Sequence, residues 1–78
     1  MLHHALVGRW VEVYWPEDET WYRGRVTTQR GHELRVFYDD GEAHFHAFAD
    51  EPFRGDGAPP FEAEDAPQQW RYAFPRIY

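Results

Sequence analysis

The chain has 78 residues, room for one small domain. Fourteen acidic side chains against eight arginines, with no lysine, give a net charge of −6 and disfavour a basic-tail nucleic-acid binder held by phosphate neutralisation. The absence of cysteine excludes disulfide frameworks, cysteine–zinc sites and thiol nucleophiles, no apolar run approaches the ~20 residues of a membrane helix, and the first ten residues lack the features of a secretory signal.

Leu, Ile, Val and Phe make up 15 of the 78 residues, a share that borders on that of disordered chains. Four Trp, five Tyr and six Phe tip the balance towards folding, because each ring can bury ~150–250 Å². A domain this small buries only about 60% of its unfolded surface, so some rings are expected to stay exposed and to serve as binding surface.

Val7-Gly8-Arg9 opens the domain. Trp10–Trp15, rich in aromatic and β-branched residues, reads as the first strand, and Pro16–Thr20 as a polar turn. Trp21–Gln29 reads as the second strand, with Gly24 as a bend or bulge of the kind small barrels need. Arg30-Gly31-His32 forms a short hairpin loop. Glu33–Tyr38 alternates, with Leu34, Val36 and Tyr38 on one face. Asp39-Asp40-Gly41 is a tight turn, and Glu42–Phe48 a fourth strand with Ala43, Phe45 and Ala47 on one face and His44, His46 and Phe48 on the other. Val11, Val13, Val26, Leu34, Val36 and Phe45 are the expected core.

Composition changes after Ala49. Residues 50–69 hold four prolines and two glycines and are acidic, which reads as irregular chain, with one helical turn starting at Asp65-Ala66-Pro67. Trp70, Tyr72 and Phe74 then recur at period two, as a strand or docked segment packing back on the barrel rather than lying across its binding rim. Four or five short strands with tight turns cannot persist as an open sheet, so the expected fold is all-β: a small, strongly bent, five-stranded antiparallel SH3-like barrel over residues 5–52, followed by a Pro-rich acidic linker and aromatic segment over 53–78.

Three constellations could carry function. Trp15 ends one strand, Tyr22 starts the next, and Tyr38 with Asp40 can reach the same rim if the barrel closes. Ring faces with a carboxylate form a receptor for a methylated ammonium or guanidinium; the same rings could instead fill a core short of aliphatics. Arg23, Arg25, Arg30 and Arg35 with Glu33 give the second hairpin +3, leaving −9 for the rest of a chain totalling −6. Arg23, Arg25 and Arg35 could contact nucleic acid, or form a solvated face paired with acids. His44 and His46 share a strand side, but nothing fixes a third metal ligand, so no metal site is assigned, and His3-His4 reads as a disordered end. There is no nucleophile triad and no glycine-rich phosphate loop, so neither catalytic residues nor a cofactor are expected, and Asp39-Asp40 is better explained by the hairpin than by acid–base chemistry.

The stretch V-Y-W-P-E-D-E-T-W-Y-R-G-R-V (Val13–Val26) followed by V-F-Y-D-D-G-E (Val36–Glu42) resembles a Tudor domain, one of the Royal-family SH3-like barrels, over about residues 7–50. Agenet, chromo-barrel and PWWP domains share parts of this pattern. The resemblance implies a non-enzymatic module that reads a methylated lysine on a partner peptide such as a histone tail, with an aromatic cage of Trp15, Tyr22, Tyr38 and Asp40. Where many readers place another aromatic, this chain has Glu42 at the rim, which opens one wall. Arginine-methyl readers of the extended type carry a Tyr-Gly-Asn turn in place of Asp-Asp-Gly, which favours lysine here. The implied setting is nuclear in a eukaryote, and a monomer without membrane contact is favoured. The alternative is a nucleic-acid-binding or unmodified-protein-docking barrel of a high-GC, cytoplasmic bacterial or phage origin.

Overall fold

Three short turns set the register of the central meander. In the computed structural model, which describes residues 4–55, 57–60 and 66–73, β1 (Trp10–Trp15) pairs antiparallel with β2 (Thr20–Arg30), β2 with β3 (Glu33–Tyr38) and β3 with β4 (Ala43–His46). The fifth strand, β5 (Trp70–Tyr72), returns to the far side of β1, giving the order β4-β3-β2-β1-β5. The protein is therefore all-β with a five-stranded antiparallel sheet, as its turn-punctuated aromatic and β-branched runs imply.

One isolated bridge links the segments that flank the two edge strands. Just beyond β4, Phe48 forms a parallel bridge with Gln68, just before β5. Gln68 N–H donates to the Ala47 carbonyl and Ala49 N–H to the Gln68 carbonyl, so one bridge, not a full ladder, joins the two ends of the sheet. Curvature enters through a register shift between Val26 and Thr28 in β2. Gly24 reads from the sequence as a bend or bulge; the irregularity lies further along the strand. Gly24 instead lies opposite Tyr38 where the strands approach closely: a Cβ there would come within 2.6 Å of Val36 Cγ1 and 2.8 Å of the Phe37 carbonyl oxygen. Because one of those neighbours is backbone, relief requires the strands to part. Gly24→Ala is expected to cost about 1–3 kcal/mol, read as a lower urea midpoint with the slope unchanged. An unchanged midpoint would mean the two strands part freely.

The inner face carries Val11, Val13, Val26, Leu34 and Val36, all at 1% exposure or less, joined by Leu6, Tyr38, Phe48 and Trp70. Leu6 comes from a short 3-10 turn, His4–Leu6, so His4 is part of the fold rather than of a disordered end; His3 lies outside the described residues. Phe45 is not in this core. Tyr38 N–H bonds to the Glu42 carbonyl across the 39–41 turn, which gives Tyr38 and Glu42 the same facing. Two-residue alternation then turns His44 and His46 inward, opposite Val36 and Leu34, and turns Phe45 outward, where the Arg30 guanidinium stacks 3.7 Å from its ring centre.

Between β4 and β5 the described residues form no helix or ladder, yet the chain is fastened. Trp70 stacks on Phe48 with ring centres 5.6 Å apart, and its indole N–H donates to the Ala49 carbonyl. Phe53 N–H donates to the Trp70 carbonyl, the Phe53 ring packs on Trp21, and the Trp21 indole reaches the Gly57 carbonyl. Trp70 is buried, whereas Tyr72 is 51% exposed under the Arg9 guanidinium, so the expected inward alternation holds at Trp70 and not at Tyr72; Phe74 lies outside the described residues. The helical turn expected from Asp65 starts outside them too, and Ala66-Pro67 are not helical.

Candidate functional site

The rim of the sheet at the end of β1 gathers the rings that the spacing singled out. Trp15 is the last residue of β1, and the Pro16–Glu19 turn brings Tyr22 back to it. The two ring centres lie 6.2 Å apart, edge to face. Tyr38 arrives from β3 with its ring 5.9 Å from Trp15. These rings line a cleft of about 570 Å³ together with Asp18, Arg23, Asp39, Asp40, Glu42 and His44. Four carboxylates thus face one guanidinium around the opening.

Each ring is held differently. Tyr22 is 40% exposed, and its hydroxyl donates to Asp18 Oδ2 at 2.9 Å. That hydrogen bond, slight burial and the charges of Asp18 and Asp40 raise the pKa of its phenol and keep the ring neutral. Tyr38, at 6% exposure, is the floor of the cleft rather than a free-standing wall. Its oxygen accepts the Trp15 indole N–H at 3.1 Å and sits 2.7 Å from His46 Nε2. Burial drives the Tyr38 pKa up, against the Trp15 hydrogen bond and with help from Asp40. Because an indole can only donate, the Tyr38 hydroxyl is free to give its proton to an unprotonated His46 nitrogen, forming a Trp15–Tyr38–His46 relay that fixes the Trp15 ring.

Asp40 Oδ1 accepts from the Glu42 backbone N–H at 2.9 Å, and Gly41 adopts a φ of 92°, so the Asp-Asp-Gly turn orients its own carboxylate towards the rim. Glu42 Oε1 lies 3.3 Å from His44 Nε2. His44 stands beside Glu42 at the same rim, its ring centre 5.3 Å from Trp15 and 6.0 Å from Tyr38. Sequence reasoning placed His44 and His46 on one strand side but missed their place beside Trp15. The signal was the three-residue loop between Tyr38 and Glu42, whose parity puts both imidazoles on the Tyr38 face. Asp18 was missed as well, since it reads as an ordinary turn residue.

The arginines are brought together less closely. Arg23 stacks 4.0 Å over Trp10 and pairs with Asp39 at 3.3 Å, with its side chain 16% exposed. Arg25 bonds the Gly8 carbonyl. Arg35 lies opposite Thr28, not opposite Arg23 or Arg25, and donates to Thr27 Oγ1. These guanidiniums are engaged by a ring and an acid, a backbone carbonyl and a threonine hydroxyl of their own domain.

His46 predicts a pH effect on stability. Burial, reinforced by the charge of His44 and opposed by Glu33, lowers its pKa from 6.5 to about 4. The unfolded chain therefore takes up this proton first as pH falls. The stabilisation is complete above about pH 6.5 and is lost progressively towards pH 4. After allowance for partial exposure it is on the order of 2 kcal/mol. Urea midpoints at pH 8 and pH 4.5 are expected to differ less in His46→Gln than in the parent protein; equal differences would place the pH response elsewhere.

Comparisons with known proteins add one partial likeness. A 49-residue stretch, 60% of this chain, is 43% identical to part of the histone-lysine N-methyltransferase TRX1 of Oryza sativa subsp. japonica, of which the match spans 5%. No protein-family profile and no solved structure matches the chain.

Proposed function

We propose that this domain is a non-enzymatic, Tudor-like binding module that holds a methylated lysine of a partner peptide, a histone tail being the representative case, in the cleft of Trp15, Tyr22 and Tyr38. The observation that carries the reading is the juxtaposition of those three rings with Asp18, Asp40 and Glu42 around one open cleft. Ring quadrupoles attract a diffuse methylammonium, and the carboxylates add charge and accept any remaining N–H. At roughly 0.5–2 kcal/mol per ring, three rings supply about 1.5–6 kcal/mol, so the cage alone gives affinity no tighter than tens of micromolar. Peptide residues outside the cage must supply the rest.

The rice relative is named for acting on histone lysine, which accords with a chromatin setting; the small share of that protein that is matched gives no ground for assigning its catalysis here. The engaged state of Arg23, Arg25 and Arg35 weighs against a nucleic-acid face. The test is an NMR titration with histone-tail peptides carrying unmodified, mono-, di- and trimethyl-lysine. Methylation-dependent shifts at Trp15, Tyr22 and Tyr38 are expected, and their absence at millimolar peptide would end this reading.

A further inference from the structure

His44 stands beside Glu42 at the rim of the cleft. It lies edge-on to Trp15, lines the same cleft as Tyr22 and Tyr38, and has a side chain 42% exposed. Unlike an indole or a phenol in this position, an imidazole changes charge between about pH 5 and 8. Neutral, it is an aromatic wall that tolerates a cation. Protonated, it is itself a cation inside the box.

We infer that His44 is the fourth wall of the cage and that a proton on its ring and the methylammonium of the ligand exclude one another, so that cation capture is coupled to proton release. This rests on the cage reading and adds a regulation to it. Two contacts make the competition direct. Glu42 Oε1 is within 3.3 Å of His44 Nε2, so the carboxylate that would help hold a methylammonium is the one that would hold an imidazolium. The rings of Trp15 and Tyr38 that would receive the ligand already adjoin the imidazole.

The rings around His44 are held neutral. Its strand neighbour His46 is buried and holds off protonation until about pH 4. Tyr38 from β3 and Tyr22 from β2 have their phenol pKa values raised, so both rings stay neutral. Across the cleft, Arg23 pairs with Asp39, while Asp40 from the turn and Asp18 from the β1–β2 loop add negative charge that attracts proton and ligand alike. The two cations therefore compete for one electrostatic well, and occupancy by one lowers affinity for the other by the same factor.

The probe is acetylated trimethyl-lysine amide, whose quaternary charge does not change with pH, titrated into the whole chain and followed at the Trp15 indole N–H. Binding is expected to be about five- to tenfold weaker at pH 5.5 than at pH 8. His44→Phe is expected to bind at pH 8 and to lose that dependence. His44→Gln, a second variant in case phenylalanine disturbs the fold, is expected to bind more weakly at both values with no pH dependence. Amide spectra at each pH report whether the domain is folded. Binding by the parent protein that is the same at both pH values, or a pH dependence that persists in the variants, would overturn this inference and leave the cage reading standing. No binding at either pH would overturn both.

Discussion

Trp70→Ala is expected to unfold the domain or to lower its melting temperature by at least about 12 °C. Trp70 is 2% exposed, stacks on Phe48, meets Tyr72 edge to face at 5.1 Å and donates its indole N–H to the Ala49 carbonyl. Truncating a buried tryptophan costs roughly 3–5 kcal/mol, a large part of the stability that a chain of this length can have. Each kcal/mol moves the melting point of a domain this size by roughly 4–8 °C. The substitution also strands the Ala49 carbonyl and loosens the bridge at Phe48 and Gln68 that joins the sheet edges. Thermal melts followed by near-ultraviolet circular dichroism measure the effect. A loss below about 1 kcal/mol would mean that β5 decorates the sheet rather than completing it.

Trp15→Ala is expected to reduce methyl-lysine binding more than tenfold, and it also tests how the cage is built. Position at a strand end beside a polar turn suggests a residue dispensable for folding. The structure makes Trp15 more than that: it is half-buried, packs on the core cluster, donates to Tyr38 and faces the rings of Tyr22, Tyr38, His44 and His46. Its removal should therefore cost about 2–3 kcal/mol of stability as well as the binding wall. Tyr22→Ala separates the two effects. Tyr22 is 40% exposed and its hydroxyl bonds to a turn carboxylate, so its loss should change stability by less than about 1 kcal/mol while still removing a cage face. Calorimetric titration beside urea denaturation reads both quantities. Unimpaired binding in folded Tyr22→Ala would place the ligand elsewhere.

Much of this was legible in the residues. The bounds of β1 and β3 follow from W-V-E-V-Y-W and E-L-R-V-F-Y, and the five aliphatics on their inner faces and on β2 are the innermost residues of the core. The nearness of Trp15 and Tyr22 follows from antiparallel succession alone, whereas that of Tyr38 depends on how the sheet curves. What misled was hydrophobicity taken residue by residue. Phe45 is more apolar than its neighbours, yet the Asp39–Gly41 turn fixes the facing of β4, and an arginine cap satisfies an outward phenylalanine. Gly24 carries no mark that separates a bulge from a close strand approach. Leu6 sits in a turn too short to leave a periodic signal. The relay from Trp15 through Tyr38 to His46 joins residues 23 and 8 positions apart, a coincidence of register that no local pattern encodes.

The most direct measurement of the central claim is a set of intermolecular nuclear Overhauser effects from the N-methyl protons of a bound trimethyl-lysine peptide. Contacts from those methyls to the ring protons of Trp15, Tyr22 and Tyr38 together are expected. Contacts to the outer-face rings Trp10, Trp21 or Phe37 instead, or binding indifferent to methylation, would contradict that claim.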